Sequence, residues 1–224
     1  MEIFNIAIDG PAGAGKSSIA KAVAKKLNYI YIDTGAMYRS VCVYALQKEI
    51  DLKSDKAMSD FLDSFEMNIE LKEDGQHIYI DGSDMNPYIR TPEASMAAST
   101  VALIPDVRMK LVDIQRGIAR QNKIIMDGRD IGTYVLPAAD VKIFLTASVE
   151  ERAMRRYKEL IEKGENCTFE GVIADMIDRD KQDTEREFAP LKQADDSVLV
   201  DTTGLTFDES VNKVIEVVEK GINI

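Results

Sequence analysis

The chain has 224 residues, 45% hydrophobic and 30% charged, with a formal net charge of −11 from 28 Lys and Arg against 39 Asp and Glu. That length buries roughly 70–75% of the unfolded surface in one core, so a single domain with insertions is expected, and the acidic balance argues against a nucleic-acid partner, which needs a basic surface. Two cysteines, Cys42 and Cys167, are too few for a disulfide framework or Cys-based metal site, the one histidine, His77, cannot complete a relay or metal set, and neither a signal segment after Glu2 nor an apolar run long enough for a membrane is present. A cytoplasmic setting without membrane or nucleic-acid partners is expected.

The apolar run Ile3 to Ile8 predicts a first strand. Gly10-Pro11-Ala12-Gly13-Ala14-Gly15-Lys16-Ser17 follows at once, the pattern of a phosphate-binding loop, extended by Ser18. Glycines let successive backbone N–H groups point into one concavity, and the positive end of the next helix adds its field. In that reading Lys16 reaches the β/γ-phosphates and the Ser17 hydroxyl ligates Mg²⁺. Ile19, Ala20, Val23, Ala24 and Leu27 supply the apolar face of the helix that must follow.

Apolar runs at 29–33, 123–127, 141–145 and 197–201 join the first strand as candidates for a buried parallel sheet. Ser148 with Glu151 and Thr206 with Glu209 have the spacing of a capping box, and Thr91-Pro92-Glu93 opens another helix. Val107, Leu111, Ile114 and Ile118 form a stripe assigned to the core. Phe65 to Gly82 predicts two antiparallel strands around a Glu73-Asp74-Gly75-Gln76 turn, an insertion in an α/β core. His77 falls in that hairpin and is assigned a structural role.

The loop alone fits GTPases, motors and small-molecule kinases. Asn122-Lys123-Ile124-Ile125 lacks the carboxylate of a guanine-reading motif, which argues against a GTPase. Transfer to a phosphorylated acceptor calls for arginines outside the loop, and Arg39, Arg90, Arg108, Arg129, Arg179 and Arg186 are available. Asp33-Thr34-Gly35 with Arg39, and Gly128-Arg129-Asp130, end predicted strands, where open α/β sheets bind ligands. A helical reading puts Arg179, Asp183 and Arg186 on one face, either as a nucleotide clamp or as a solvated ion-pair ladder. Arg152, Arg155 and Arg156 share another helical face, either as a mobile lid over phosphates or in ordinary pairs with Glu151 and Glu159.

The runs Tyr31-Ile32-Asp33-Thr34-Gly35-Ala36-Met37-Tyr38-Arg39, Asp127-Gly128-Arg129-Asp130-Ile131-Gly132-Thr133 and Arg186-Glu187-Phe188-Ala189-Pro190-Leu191 resemble the bacterial cytidylate kinases nearly end to end. The resemblance implies a three-layer α/β phosphate-loop kinase with a five-stranded parallel sheet. It also implies a small antiparallel nucleoside monophosphate-binding insertion at about 62–90 and a short helical lid at about 150–183, within one domain. It implies that Ser99, Arg108 and Asp130 read cytosine, that Arg39 and Arg129 hold the acceptor phosphate, and that Thr34, Asp183 and Arg186 face the ribose, assisted by Arg179. Lys16, Arg129 and Arg186 become the catalytic set, with ATP as co-substrate, Mg²⁺ on Ser17, CMP or dCMP as acceptor, and a monomeric enzyme. Thr34 stands where other members carry Ser, which keeps the hydroxyl; Gln182 stands where some carry Arg, which removes a contact.

Cytosine presents an N4 amine beside ring acceptors, so a carboxylate and a guanidinium complement it, as Asp130 and Arg108 would. Two alternatives stay open on the residues: a kinase for another small-molecule acceptor, and a module that binds ATP without transferring its phosphate.

Overall fold

The computed structural model describes residues 3–72 and 75–222. It has a three-layer α/β architecture with two sheets: five parallel strands in the order β2-β6-β1-β7-β8, and three antiparallel strands in the order β3-β4-β5. These are β1 (Asn5–Asp9), β2 (Ile30–Asp33), β3 (Met67–Lys72), β4 (Gly75–Ile80), β5 (Ser83–Asp84), β6 (Ile124–Gly128), β7 (Val141–Thr146) and β8 (Val198–Asp201). The chain divides into two compact units, Met1–Tyr29 with Lys123–Ile224, and Ile30–Asn122.

In the first unit β1 lies between β6 and β7, with Ile8 opposite both Asp127 and Ile143. Ile6, Ala7, Ile8, Ile124, Ile125 and Met126 are all fully buried. A strand covered on both faces reads as a continuous apolar run, which is why these strands were visible in the sequence. Helices α1 (Lys16–Leu27) and α8 (Phe207–Ile222) pack on each other and on this sheet, while α6 (Val149–Glu162) and α7 (Phe169–Glu185) form a separate hairpin around Ala153, Val172 and Met176. Thr206 and Glu209 close a full capping box. Ser148 caps α6 alone, because Thr203 takes the Ser148 N–H and Glu151 turns to Gly204.

The second unit gathers α2 (Thr34–Gln47), α3 (Asp55–Leu62), the antiparallel sheet, α4 (Pro92–Val101) and α5 (Pro105–Ala119). Met37, Val41, Met58, Ile78, Ile80, Val101, Val107 and Leu111 belong to one core. Thr91 caps α4 through the Ala94 N–H, with Pro92 in the first turn. The hairpin differs in detail from the sequence reading: Gly75 and Gln76 already stand in the ladder, Gly75 opposite Lys72. Glu73 and Asp74, the rest of the expected turn, lie outside the described residues. His77 pairs with Asp84 of the unanticipated third strand, through Nδ1 at 3.1 Å.

Candidate active site

In the first unit, β1 ends at Asp9 and the loop Gly10–Gly15 leads into α1. Gly15 takes a left-handed conformation (φ 83°) at the helix cap, no side chain caps this end, and its first turn holds no acidic residue. The helix N-terminus is therefore left for an outside anion. Gly13, Ser17 and Ser18 are exposed, while Ala12, Ala14 and Lys16 are buried. Lys16 is folded back, its Nζ donating to the Pro11 carbonyl at 2.7 Å. The Ser17 hydroxyl donates to Asp127 Oδ2 at 2.9 Å.

Asp127 is the last residue but one of β6, and the chain turns after Gly128 into a π-helical turn, Ile131–Val135. Asp9 holds that turn: its two carboxylate oxygens accept the Ile131 and Gly132 N–H groups, each at 2.7 Å. The side chains just before the turn enter one ionic network. Arg129 Nε donates to Asp183 Oδ2 at 2.6 Å, and Arg186 pairs with Asp130 at 3.2 Å and with Asp183 at 4.0 Å. Asp130 thus pairs with Arg186 and Arg129 with Asp183. Arg186 lies one residue past α7, in extended backbone, instead of on the helical face where its spacing put it. Its Nε is fixed by the Ala189 carbonyl at 2.7 Å, and Ala189 adopts a positive φ of 48°.

Burial, and then Arg129, push the Lys16 ammonium down to about 7, against the pull of Asp127, Asp183 and Asp9. Burial, followed by Arg129, also lowers Arg179, whose buried Nε has no hydrogen-bond partner among the described residues. Burial works to raise the Asp183 carboxyl, but Arg129, Arg186 and Arg179 hold it below the ordinary carboxylate range. Lys16 and Arg179 are thus both disfavoured as cations by burial and by Arg129, whose own charge Asp183 supports.

The lid arginines separate. Arg155 and Arg156 make pairs within α6, with Glu151 at 3.1 Å and Glu159 at 2.9 Å. Arg152 makes neither of the expected Glu151 and Glu159 pairs among the described contacts: it is buried, donating to the Ala147 and Ala12 carbonyls and pairing with Asp180 at 2.7 Å.

The second unit holds the remaining candidates. Asp33 caps α2 through the Ala36 N–H and binds Arg39 at 3.0 Å, with Arg90 at 3.8 Å. Thr34 is buried at the first turn of α2. Arg108, 1% exposed, lies 5.6 Å from the centre of the Tyr38 ring and donates to the Ala102 carbonyl. Ser99 is half-buried on α4, donating to the Ser95 carbonyl.

Sequence reasoning missed Asp9 and Asp127 as site residues. The available signal was a carboxylate at or beside the end of an otherwise apolar strand, Asp9 in β1 and Asp127 in β6. Asp180 carried no such signal, being one charge among many on a polar helix.

The family model and the sequence relatives agree on one family. The model of the family described as "Cytidylate kinase" matches residues 6–220. The chain is 52% identical over 210 residues to a cytidylate kinase of Clostridioides difficile, covering 94% of this chain and 95% of that one. It is 47% identical over 217 residues to a cytidylate kinase of Bacillus subtilis, covering 97% of each. Among solved structures, an uncharacterized protein from Eubacterium ventriosum matches with a TM-score of 0.54 at 14% identity, over 98% of this chain and 99% of that one, a likeness of fold alone.

Proposed function

This chain belongs to the cytidylate kinase family, and we propose that it transfers the γ-phosphoryl group of ATP to the α-phosphate of CMP or dCMP, giving ADP and CDP or dCDP. The observation that carries this reading is the cationic cluster of buried Lys16 and half-buried Arg129 and Arg179 near the N-terminus of α1. Phosphoryl transfer asks little covalent chemistry of a protein; it asks for positioning and for charge where the equatorial oxygens develop theirs. Lys16, Arg129 and Arg186 supply that charge. The acceptor oxygen is already ionised, so no general base is required.

The acceptor roles follow the family pattern: Ser99, Arg108 and Asp130 for cytosine, Arg39 and Arg129 for its phosphate, and Thr34, Asp183 and Arg186 for the ribose, with Arg179 assisting. The orphaned Nε of Arg179 supports this, since a ligand oxygen would satisfy it. Mg²⁺ fits the donor side: Ser17 and Asp127 present a hydroxyl and a carboxylate side by side, oxygen donors few enough to leave the ion its waters and the substrate phosphates. Such an ion, when bound, offsets charge on the β- and γ-phosphates. We place the enzyme in the cytoplasm as a monomer acting on free nucleotides, consistent with described helices none of which is long and apolar enough to cross a membrane.

The test is a coupled ADP-release assay with Mg·ATP and, in turn, CMP, dCMP, UMP, AMP and GMP. CMP and dCMP should be turned over fastest. ADP release that ignores the added monophosphate, or preference for a purine, contradicts the reading.

A further inference from the structure

Asp180 stands among the acceptor-side residues of α7, yet its own contacts go elsewhere. Its Oδ1 accepts the Ala12 N–H at 3.2 Å, and its Oδ2 lies 2.7 Å from Arg152 Nη1. The same Nη1 donates to the Ala12 carbonyl at 2.9 Å, while Arg152 Nε is anchored on the Ala147 carbonyl at 2.9 Å. The N–H and C=O of Ala12 belong to consecutive peptide units, so the ion pair grips the peptide planes on both sides of one residue. That fixes the φ and ψ of Ala12. One turn before Asp180, Met176 closes the same side: its Cε and the Arg152 Cβ lie 2.8 and 3.3 Å from where a Cβ on Gly13 would stand.

We propose that Asp180 is a positioning residue of the donor site, which with Arg152 locks the Ala12 peptides and thereby sets the direction of the loop amides from Gly13 onward that meet the triphosphate. The inference rests on the reading of this loop as the ATP site. Its physical basis is preorganisation: amides whose orientation is fixed before the ligand arrives cost no reorganisation when it binds. Asp180 also neutralises Arg152. The side chain of Arg152 is only 7% exposed, so its charge sits beside the loop with Asp180 as counter-ion instead of acting as a phosphate-seeking cation. Asp180 is next to Arg179 and three residues from Asp183 in α7; among the described contacts it makes no hydrogen bond or ion pair with that network and acts on Arg129 and Arg179 only through its charge, which favours both as cations.

The test separates donor from acceptor. Asp180→Ala removes both contacts, Asp180→Asn keeps an acceptor for the Ala12 N–H but loses the charge, and Asp180→Glu keeps the charge. Calorimetric titration with Mg²⁺ and adenylyl imidodiphosphate, and KM for ATP at saturating CMP, should both weaken about tenfold or more in Asp180→Ala and less in Asp180→Asn. Asp180→Glu should recover part of the loss. KM for CMP should change several-fold less than KM for ATP in all three, the charge of Asp180 reaching Arg129 and Arg179 only at a distance, a split that a general loosening of α7 would not produce. Unchanged analogue affinity in a folded variant, or equal losses toward ATP and CMP, overturns the proposal. If Asp180→Ala does not fold, the same split in Asp180→Asn decides. The analogue titration reads Asp180 without any transfer, so a failure of the acceptor assignment would appear separately, as wild-type enzyme that binds the analogue and makes no CDP.

Discussion

Asp130 pairs with Arg186 at 3.2 Å, and the proposed reading also gives it the cytosine amine, so recognition and scaffolding would fall on one side chain. Asp130→Ala should lower kcat/KM for CMP by roughly 1–3 kcal/mol of transition-state binding and for UMP much less, narrowing the preference. Equal losses would assign the residue to holding Arg186 instead. Asp9 gives a second test, of stability. Burial, opposed by the Gly132 and Ile131 amides, raises its carboxyl to about 6. A carboxyl raised from an unfolded value near ~3.9 binds its proton more tightly in the folded chain. Its contribution is therefore fully present below pH ~4 and lost as pH rises through about 6, a swing of about 2–3 kcal/mol. Urea unfolding at pH 4 to 7 should show the stability of wild type relative to Asp9→Asn falling by about that amount; a flat or rising difference would place the charged form in a better-solvated setting than burial allows.

At the scale of elements, the close approach of β1 and β7 decides what the loop can be. Gly10 has φ 149°, and a Cβ there would run into the Leu145 carbonyl. That carbonyl belongs to the sheet and cannot swing aside, so Gly10→Ala should cost roughly 3 kcal/mol or more. At about 2–4 °C per kcal/mol for a chain of this size, the melting temperature should drop by at least about 6 °C, with ATP affinity falling in the same variant. A drop under 2 °C would mean the loop can lift off β7. The strands, α1, the Thr91 and Thr206 caps and the hairpin were legible because each follows a local rule: continuous burial, helical spacing, a side-chain oxygen three residues before an amide. The π-helical turn Ile131–Val135 was not, since what stabilises it is the Asp9 carboxylate, 122 residues away in sequence. The position of Arg186 beyond α7 escaped the spacing argument for a similar reason: its place is set by Ala189 and Asp130, not by helical period.

At the scale of the molecule, an acidic chain that handles polyanions has to concentrate its positive charge. The proposed reading gives that task to six of the 28 Lys and Arg: Lys16, Arg129, Arg179 and Arg186 in one unit, Arg39 and Arg108 in the other. Those residues could be named from the sequence because the phosphate loop and the family motifs mark them. Their partners could not: Asp9, Asp127 and Asp180 become meaningful only when folding sets them against Ile131, Ser17 and Ala12. The claim that ties both units to one reaction is transfer of a phosphoryl group to a cytosine nucleotide. It is tested most directly by internal competition, in which the enzyme is given γ-labelled Mg·ATP and an equimolar mixture of CMP, UMP, AMP and GMP, and the products are separated early in the reaction. Label should appear in CDP at about tenfold to several hundredfold the level in UDP, as an unmatched buried polar contact with uracil requires, with little in ADP or GDP formed from the added purines. Label released as inorganic phosphate whatever the mixture holds, or transferred chiefly to a purine nucleotide, would contradict the account.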